Sequence, residues 1–458
     1  MHFHTWTFLL FFLLTYAVFL LLRRTPFRNL WLLLVSYAFY GWWSPLYLVL
    51  IAWSTLLDYI VLARMEKSRR KRSWLAVSLV NGLLLMGFFK YGLFVAENLN
   101  LLLARLGSPY AISPPGLLLP LGLSFYVFKS ISYVVDCYRA DVTRETNLIR
   151  HAAFVSFFPI LLAGPIERAS RLLPQFRRPT PITGEDVTDG LSLFVVGLFK
   201  KVALADGLAL YVNQVYDAPA NFQAPALILA SFAFAWQIYF DFSGYTDMAR
   251  GLARALGFRI MLNFNHPYLA TGLGDFWRRW HVSLSTWFRD YVYIPLGGSR
   301  KGKLITYRNI FLTMVISGLW HGAAWTFVIW GALHGLGMIV TRSLERHTIY
   351  RDKWPRLAKQ AGTFAFVSFA WIFFRAPTWD SACLIVTRIV TSGLGDPKFP
   401  LLFVTLIMVV WLYQFMLESS LRKHLCYGPV RIFMVVGMLI YLCLFSGSAG
   451  QAFIYNQF

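Results

Sequence analysis

Long apolar runs separated by short polar loops recur along nearly the whole chain. A helix needs roughly 20 apolar residues to cross the hydrocarbon core of a bilayer. Backbone groups in lipid need internal partners, so spans of this kind are helical. The pattern predicts an all-α polytopic membrane protein with about 11–12 membrane helices, plus re-entrant and interfacial helices, around a central cavity. The predicted spans are 5–22, 30–44, 46–63, 74–95, 117–135, 190–212, 224–240, 309–320, 325–341, 361–376, 400–417 and 431–446.

Two apolar stretches predict something other than a single crossing. Residues 152–163 are too few to span and have basic residues on both sides, so we expect a re-entrant segment. Such backbone is tolerated at membrane depth only inside protein or beside a cavity, which is why a cavity is predicted. Residues 309–341 also have basic flanks and predict a hairpin that returns to its starting side. His321 lies about 12 residues into that hairpin, roughly 18 Å deep.

The charged residues set the predicted orientation of these helices. Only 14% of the chain is charged, against about 25% in a soluble domain. The net charge of +22 comes from basic residues in short loops between apolar runs, which indicates cytoplasmic loops rather than a nucleic-acid surface. We therefore expect loops 64–72, 277–308 and 342–359 in the cytoplasm and the N-terminus outside. The lipid bilayer is the expected partner, and nucleic acid is not.

Nothing in the sequence divides the chain or indicates a metal. No linker or internal repeat is evident, so residues 1–458 are predicted to form a single domain. The four cysteines are scattered and show neither a CxxC spacing nor a disulfide framework. The apolar run from Phe8 to Leu22 lacks a basic n-region and a cleavage site, and we interpret it as an uncleaved first span. A Gly-rich phosphate loop, G-x-S-x-G and HExxH are absent from the sequence, which disfavours soluble-type nucleophilic catalysis and zinc chemistry.

Polar residues concentrate in a few segments with apolar surroundings. In WQIYFDFSGYTDMARG, residues 236–251, Asp241, Asp247 and Arg250 lie in or beside a membrane segment. Ionisable groups there are costly and tend to face a cavity or each other. Two interpretations stay open, a structural ion pair at a helix end and a functional site. The segment FVSFFPILLAGPIER, residues 154–168, is interpreted as structural.

Residues 274–298 repeat aromatic side chains at helical spacing. Trp277, Trp280 and Trp287 recur at intervals of three and seven residues, which places them on one face of a helix. The pattern predicts an interfacial amphipathic helix lying on the cytoplasmic leaflet and ending at Pro295. That interpretation does not explain His281, which is next to the tryptophan stripe.

The segment SGLWHGAAWTFVIWGALHG, residues 317–335, contains His321 and His334. A histidine in an apolar run is more often a packed, hydrogen-bonded residue than a catalyst. The predicted depth favours a functional role for His321, because imidazole can accept and return a proton near neutral pH. His334 and Lys129 are weaker candidates.

At these segments the chain resembles the membrane-bound O-acyltransferase family, in its bacterial branch of alginate O-acetylation and D-alanyl-transfer proteins. The matching strings lie in order between about residues 120 and 380. They are LPLGLSFYVFKSISYVVDCYR (119–139), FFPILLAGPIER (157–168), QIYFDFSGYTDMARGLARALGF (237–258), NFNHPYLATGLGDFWRRWHVSLSTWFRDYVYIPLGGSR (263–300), YRNIFLTMVISGLWHGAAWTFVIWGALHG (307–335) and FVSFAWIFFRAPTW (366–379). Within the branch, the sequence looks closer to exopolysaccharide acetylation proteins, for alginate or cellulose, than to D-alanyl-transfer proteins.

This resemblance implies an O-acyltransferase of the bacterial inner membrane. Acetyl-CoA is the expected cytoplasmic donor substrate, and no cofactor is expected. The expected acceptor is a hydroxyl on a polysaccharide or on a periplasmic polysaccharide-acetylation protein. Alternatives are a transporter or flippase that moves an acyl group or a lipid-linked glycan without chemistry, and D-alanyl transfer to a cell-wall polymer.

The resemblance also implies roles for individual residues. His321, in LWHG, would be the catalytic general base, near which a funnel meets a tunnel. His281, in FWRRWH, would position a substrate or hold the tautomer of His321. Lys129 departs from the pattern, which expects an acid or a neutral residue there. The residues expected to bind substrates are Arg278, Arg279, Trp280, Asp241, Tyr245, Asp247, Trp320, Asn265 and His334, with the two arginines attracting the phosphates of CoA.

Overall fold

A computed structural model describes residues 1–113, 116, 119–178, 180–445 and 453. Within those residues every regular element is a helix, which confirms the all-α prediction. The chain forms two compact units. Unit 1 contains Met1–Leu191 and Ala249–Met261, and unit 2 contains Ser192–Met248 and Leu262–Phe458. The single domain expected over residues 1–458 stays a prediction.

Unit 1 is built from short and long helices in nearly unbroken succession. A π-helix at Gly87–Tyr91 joins α4 to α5, so residues 71–105 form one continuous helix. The helices of unit 1 are α1 (Trp6–Leu22), α2 (Arg28–Gly41), α3 (Pro45–Lys67), α4 (Lys71–Met86), α5 (Gly92–Arg105), α6 (Leu123–Tyr138), α7 (Leu148–Ser156), α8 (Phe158–Leu161), α9 (Ala169–Arg177) and the first part of α10 (Gly184–Phe199).

The stretch predicted to be re-entrant is a buried, broken helix inside unit 1. The extended backbone of Phe157 and the ring of Pro159 separate α7 from α8, and both helices are too short to cross a bilayer. Lys129 of α6 is buried and donates hydrogen bonds to the carbonyl oxygens of Phe154 and Val155, at 3.1 and 3.2 Å. The amine of Lys129 therefore satisfies backbone acceptors at the end of α7, which have no partner within that helix.

Unit 2 holds every residue that the sequence predicts to be catalytic or substrate-binding. π-Helices at Lys200–Ala205, Arg289–Tyr293 and Ile349–Lys353 interrupt its regular helices. The helices of unit 2 are the rest of α10, α11 (Asp206–Asp217), α12 (Ala224–Ala255, up to Met248), α13 (Leu273–Arg279), α14 (Val282–Phe288), α15 (Lys303–His321), α16 (Trp325–Leu344), α17 (Arg356–Arg375), α18 (Trp379–Thr391), α19 (Leu401–Leu417), α20 (Arg422–Leu425) and α21 (Gly428–Phe445).

Helices α15 and α16 form the predicted hairpin. A Cβ atom on Gly318 would come within 2.2 Å of the Phe327 carbonyl oxygen, and one on Gly331 within 2.4 Å of the Met314 oxygen. These glycines therefore permit the close approach of the two backbones. His321 is the last residue of α15, so it lies about 27 Å along the helix axis from Lys303. Counted from residue 309, where the apolar run begins, the 12 residues to His321 give roughly 18 Å along α15, and the depth in a membrane stays a prediction.

Several helices can cross a membrane, which confirms the multi-pass prediction. The number of helices that are long and apolar enough is smaller than the twelve spans predicted from the sequence. Helices α2 and α6 are short, and α15 carries Lys303 and Arg308. Two further apolar helices, α1 and α19, have 17 residues each. In the described part of the chain the helices that are long and apolar enough are Pro45–Lys67, Lys71–Arg105, Ala224–Ala255, Trp325–Leu344, Arg356–Arg375 and Gly428–Phe445.

Candidate active site

The predicted amphipathic helix over residues 274–298 is wrong. The chain instead forms α13 and α14, which are separated at His281, where the backbone is left-handed (φ 41°, ψ 55°). The three tryptophans of the stripe, Trp277, Trp280 and Trp287, are at most 7% exposed. Packing within the protein therefore replaces the predicted contact with a membrane surface. A non-glycine residue rarely adopts this backbone conformation unless its neighbours hold it there.

Asn263 lies beside this break and holds it. Its backbone oxygen accepts a hydrogen bond from the Val282 N–H at 2.9 Å. Its side-chain Oδ1 accepts from the Ser283 N–H and from the Ser283 hydroxyl, at 3.2 and 2.9 Å. On the other side of the break, the Asn265 N–H donates to the Arg279 carbonyl oxygen at 2.8 Å. Residues 263–265 thus pair with the chain on both sides of His281 and hold its backbone in place.

His281 is buried against aromatic rings. Its ring centroid lies 4.6 Å from that of Phe242, 6.4 Å from that of Phe264 and 6.0 Å from that of Trp320. Burial lowers the pKa of His281 to about 3, so the imidazole is neutral at physiological pH. A neutral imidazole presents one donor and one acceptor nitrogen, as a positioning residue requires.

His321 contacts the same tryptophan from the end of α15. Its ring centroid is 4.9 Å from that of Trp320, 5.0 Å from that of Trp330 and 5.3 Å from that of Phe374, all in edge-on arrangements. The side chain is only 3% exposed. The structure therefore brings the two histidines expected to be functional, His281 and His321, to one indole ring.

His334 is the third buried histidine of this region. It lies midway along α16, with its ring 4.7 Å from Trp330 and 5.2 Å from Trp277. Trp280 joins the cluster through Trp371, at 5.2 Å. Neither nitrogen of His334 has a hydrogen-bonding partner among the residues that the structure describes. The name histidine–tryptophan cluster is used below for His281, His321, His334, Trp277, Trp280, Trp320, Trp330 and Trp371.

The two predicted binding carboxylates of α12 form ion pairs. Asp241 accepts from Lys201 at 2.7 Å, and Lys201 also pairs with Asp206 at 2.8 Å. Asp247 pairs with Lys200 at 2.7 Å. The π-helix at Lys200–Ala205 changes the helical repeat, and both consecutive lysines reach carboxylates of α12. These contacts support the structural interpretation of both aspartates; substrate binding by them stays a prediction.

Tyr245, a further residue of α12 expected to bind substrate, is buried. Its ring lies 4.9 Å from that of Phe453. Asn265, by contrast, is exposed, and its backbone makes the contacts described above.

Arg278 and Arg279 differ in their surroundings. Arg279 donates to Asp275 at 3.1 Å and also to Glu418, which in turn accepts from Arg356 at 2.8 Å. Arg279 is therefore committed to an ion-pair network. The side chain of Arg278 is 73% exposed, and its contact with Asp275 is longer, at 3.6 Å. Arg278 is thus the better placed of the two to meet an anionic ligand.

A cavity of about 320 Å³ opens beside these residues. Its apolar wall includes Trp277, Met314 and Met338, and its polar groups include Ser317, one helical turn before His321. Trp277 lies 5.8 Å from Trp330, which contacts His321. Three arginines from different elements complete the lining, namely Arg278, Arg289 and Arg342. The cavity, called the arginine-lined cavity below, combines an apolar wall with positive charge next to the histidine–tryptophan cluster.

The family model for MBOAT, the membrane-bound O-acyltransferase family, matches residues 139–377. This range is more than half of the chain and includes all three histidines of the cluster. The protein is a membrane-bound O-acyltransferase. The recognition made from the sequence strings is thereby confirmed, and so is the prediction that the chain is an enzyme.

Curated relatives of this O-acyltransferase carry related names. The chain is 44% identical over 355 residues to the probable alginate O-acetylase AlgI of Pseudomonas putida, covering 76% of this chain and 72% of that protein. It is 36% identical over 398 residues to the peptidoglycan O-acetyltransferase of Helicobacter pylori, covering 80% and 75%. The teichoic acid D-alanyltransferase of Bacillus subtilis is 29% identical over 309 residues, covering 63% of this chain and 78% of that protein.

Three features of the O-acyltransferase site were missed by sequence reasoning. Lys200 and Lys201 stand inside the run 190–212, which was treated as one uniform span, although two lysines in an apolar run indicate acidic partners. Asn263 and Glu418 gave no signal, because their partners lie far away in the sequence.

Among the described residues, no group of three or more His, Cys, Asp or Glu is placed to hold a metal ion.

Proposed function

We propose that this enzyme transfers acetyl from cytoplasmic acetyl-CoA, across the bacterial inner membrane, to hydroxyl groups of an exopolysaccharide such as alginate or cellulose. Handover to a periplasmic polysaccharide-acetylation protein is an equivalent route. The observation that carries the proposal is the contact of Trp320 with both His281 and His321, next to the arginine-lined cavity. The names of the Pseudomonas and Helicobacter relatives support O-acetylation of a polymer as the reaction.

His321 acts in this proposal as the general base. A sugar hydroxyl ionises far above pH 7, so its proton must leave as the oxygen attacks the thioester carbon. The imidazole of His321 takes that proton, the new C–O bond forms, and the C–S bond breaks. The proton then passes to the departing CoA thiolate, which leaves His321 neutral again. General-base catalysis of this kind typically contributes about 10²–10⁴-fold in rate.

His281 acts as a positioning residue. Its left-handed backbone is held by Asn263, and its ring is held by Phe242 and Trp320. A neutral imidazole fixed in this way can offer a hydrogen bond of constant direction to the donor, the acceptor or the base. Its buried setting disfavours protonation, so a role in orientation is better supported than one in proton transfer.

The donor site of this proposal is the arginine-lined cavity. Guanidinium groups bind phosphate with paired N–H donors, which suits Arg278 and Arg342 to the phosphates of CoA. Arg289 also lines the cavity, but its Nε already donates to Asp290 at 2.8 Å. The apolar wall suits the uncharged arm that carries the thioester. Ser317 and Trp277 line the cavity on the side of the histidine–tryptophan cluster, so a thioester bound there would lie near His321.

Thiol release from acetyl-CoA tests the donor and the base together. Purified enzyme in nanodiscs would be given acetyl-CoA and an unacetylated alginate or cellulose oligomer, and free CoA and acetylated oligomer would be measured. The expected result is acceptor-dependent release of CoA that His321→Ala abolishes, with a D-alanyl carrier protein inactive as donor. Activity with the D-alanyl carrier but not with acetyl-CoA would instead favour D-alanyl transfer, in line with the Bacillus relative.

A further inference from the structure

Unit 1 contains a second cationic cavity, of about 190 Å³, at the end of α1. Arg23, Arg24 and Arg28 line one part of it, and the loop 180–182 and Leu256–Gly257 line another. Phe19, on the last turns of α1, forms apolar wall. No acidic side chain is among the lining residues. Chain segments far apart in the sequence therefore converge on three guanidinium groups.

Arg28 is a fixed part of this cavity. Its side chain is buried, and its Nη2 donates to the carbonyl oxygens of Gln175 and Phe176 at 3.0 and 2.7 Å. The guanidinium carbon also lies 5.7 Å from the centre of the Phe258 ring. These contacts hold the guanidinium without neutralising its charge, because none of the partners is a carboxylate.

Arg23 and Arg24 add two further positive charges to the same cavity. Neither pairs with a carboxylate within the part of the chain that the structure describes. Asp186, which follows the loop 180–182, is already engaged with Arg254 and Arg259 at 3.4 and 2.7 Å. The positive charge of the cavity is therefore not compensated by that carboxylate.

Helix α1 also has an exposed apolar face, on the side away from Phe19, and this face ends at Leu21, two residues before Arg23. Leu10, Leu14 and Leu21 recur at intervals of four and seven residues and are each more than 60% exposed. That spacing places them on one side of the helix. A ligand that met both features would need an anionic group for the arginines and a long apolar chain for the helix.

We propose that the cavity of Arg23, Arg24 and Arg28 binds the phosphate of an anionic phospholipid, with an acyl chain along the exposed face of α1. Guanidinium groups recognise phosphate oxygens through paired N–H donors. Basic side chains near an anionic leaflet also attract its headgroups, and the attraction grows with each charge. A free phosphate would use the same arginines but would gain nothing from the leucines of α1.

Native mass spectrometry of lipid adducts tests this site. The enzyme would be purified in neutral detergent, loaded with phosphatidylglycerol or phosphatidylcholine, and compared with the double variant Arg23→Gln/Arg24→Gln. The control variant is Arg69→Gln/Arg70→Gln, which removes the same charge from another basic cavity of unit 1. We expect one phosphatidylglycerol to bind about 30-fold more weakly to the first variant than to the control, since each of the two arginines contributes about five- to sixfold.

Three results would overturn the proposal. Equal loss of phosphatidylglycerol from both double variants would show general surface attraction rather than a site. Equal binding of phosphatidylcholine and phosphatidylglycerol by the native enzyme would show that charge is not recognised. Inorganic phosphate supplies the third arm: if it displaces the lipid at millimolar concentration only in the control and the native enzyme, the site binds free phosphate and the lipid assignment fails. Retention of the lipid in that arm supports it.

Discussion

Unit 2 contains two buried groups of ionisable side chains with different surroundings. In the histidine–tryptophan cluster, His321 and His281 lie against aromatic rings and both contact Trp320. In the second group, called the lysine–aspartate cluster, Lys201 lies between Asp206 and Asp241, and Lys200 pairs with Asp247. Both groups are surrounded by apolar helices, so burial alone does not distinguish a catalytic residue from a structural one.

The difference lies in what each group can do with a proton. Lysine and aspartate in contact stabilise each other's charged forms. Removing one partner leaves the other charge buried among apolar groups without a counter-charge. Such pairs hold helices together. An imidazole with its ordinary pKa changes protonation near neutral pH, which suits the role of base proposed for His321. Under the proposed function, the first cluster carries the chemistry and the second contributes stability.

Replacing His321 should produce the largest effect on catalysis. His321→Ala removes the proposed general base, so acetyl transfer is expected to fall by about 10²–10⁴-fold while the protein still inserts and folds. The measurement is the acetyl content of the secreted polymer at matched membrane abundance. His334→Ala is the matched control, because that histidine is equally buried in the same cluster but lies behind Trp330. Similar loss in both variants would remove the special role of His321.

Replacing Lys201 should produce the largest effect on the fold. Lys201→Met takes away the cation shared by Asp206 and Asp241, and breaking a buried pair typically costs about 3–5 kcal/mol in unfolding free energy. The readout is the amount of enzyme that remains monodisperse after detergent extraction. Lys200→Met makes the same change one residue earlier, in a pair whose side chains are more exposed, and should cost less. A larger loss with Lys200→Met would contradict the ranking.

Replacing Arg278 and replacing Arg279 should have different effects, the first on donor binding and the second on folding. Arg278→Ala is expected to raise the apparent KM for acetyl-CoA about tenfold, as the loss of one charged hydrogen bond would. Arg279→Ala should leave that KM unchanged and lower the yield of folded enzyme, because it unpairs Glu418 and Asp275. Steady-state rates over a range of acetyl-CoA concentrations check both. An unchanged KM in Arg278→Ala would exclude the arginine-lined cavity as the site for the phosphates.

Replacing Asn263 should have a smaller effect on turnover, because Asn263 acts by holding the backbone of His281. Asn263→Ala leaves the Ser283 N–H and hydroxyl without their acceptor, so turnover should fall severalfold while the KM for acetyl-CoA stays the same. Asn263→Asp keeps an oxygen acceptor and should restore most of the turnover. Failure of the aspartate variant to recover more than the alanine variant would show that Asn263 does not act through this acceptor.

The helices predicted best from the sequence are those formed by long apolar runs. Helices α3, α16 and α17 lie close to the predicted spans, because about 20 apolar residues have few alternatives in lipid. The break at His281 could not be predicted from the sequence, since the tryptophan repeat continues across it. The hydrogen bonds that hold the break come from Asn263, which is distant in the sequence pattern. The role of Lys201 was hidden for the same reason, because the π-helix that turns it toward Asp241 has no signature in the residue pattern.

The site residues also divide into those that sequence motifs predicted and those whose surroundings depend on long-range contacts. His281 and His321 were selected from their motifs, and the structure places both against Trp320. Arg279 was grouped with Arg278 because the two are adjacent in sequence, but only long-range packing against Glu418 distinguishes them. Trp280 was expected at a membrane surface, yet it is buried among Phe276, Trp371 and other rings. Contacts between distant segments decided each of these outcomes.

One paired measurement tests the contrast between the two clusters most directly. His321→Asn and Lys201→Met would be purified in nanodiscs, and both the folded fraction and the rate of CoA release per folded molecule would be determined. The account predicts that His321→Asn keeps the folded fraction and loses about 10²-fold or more in rate, whereas Lys201→Met loses folded protein and keeps the rate of what remains. A His321→Asn enzyme with near-native turnover per folded molecule would contradict it.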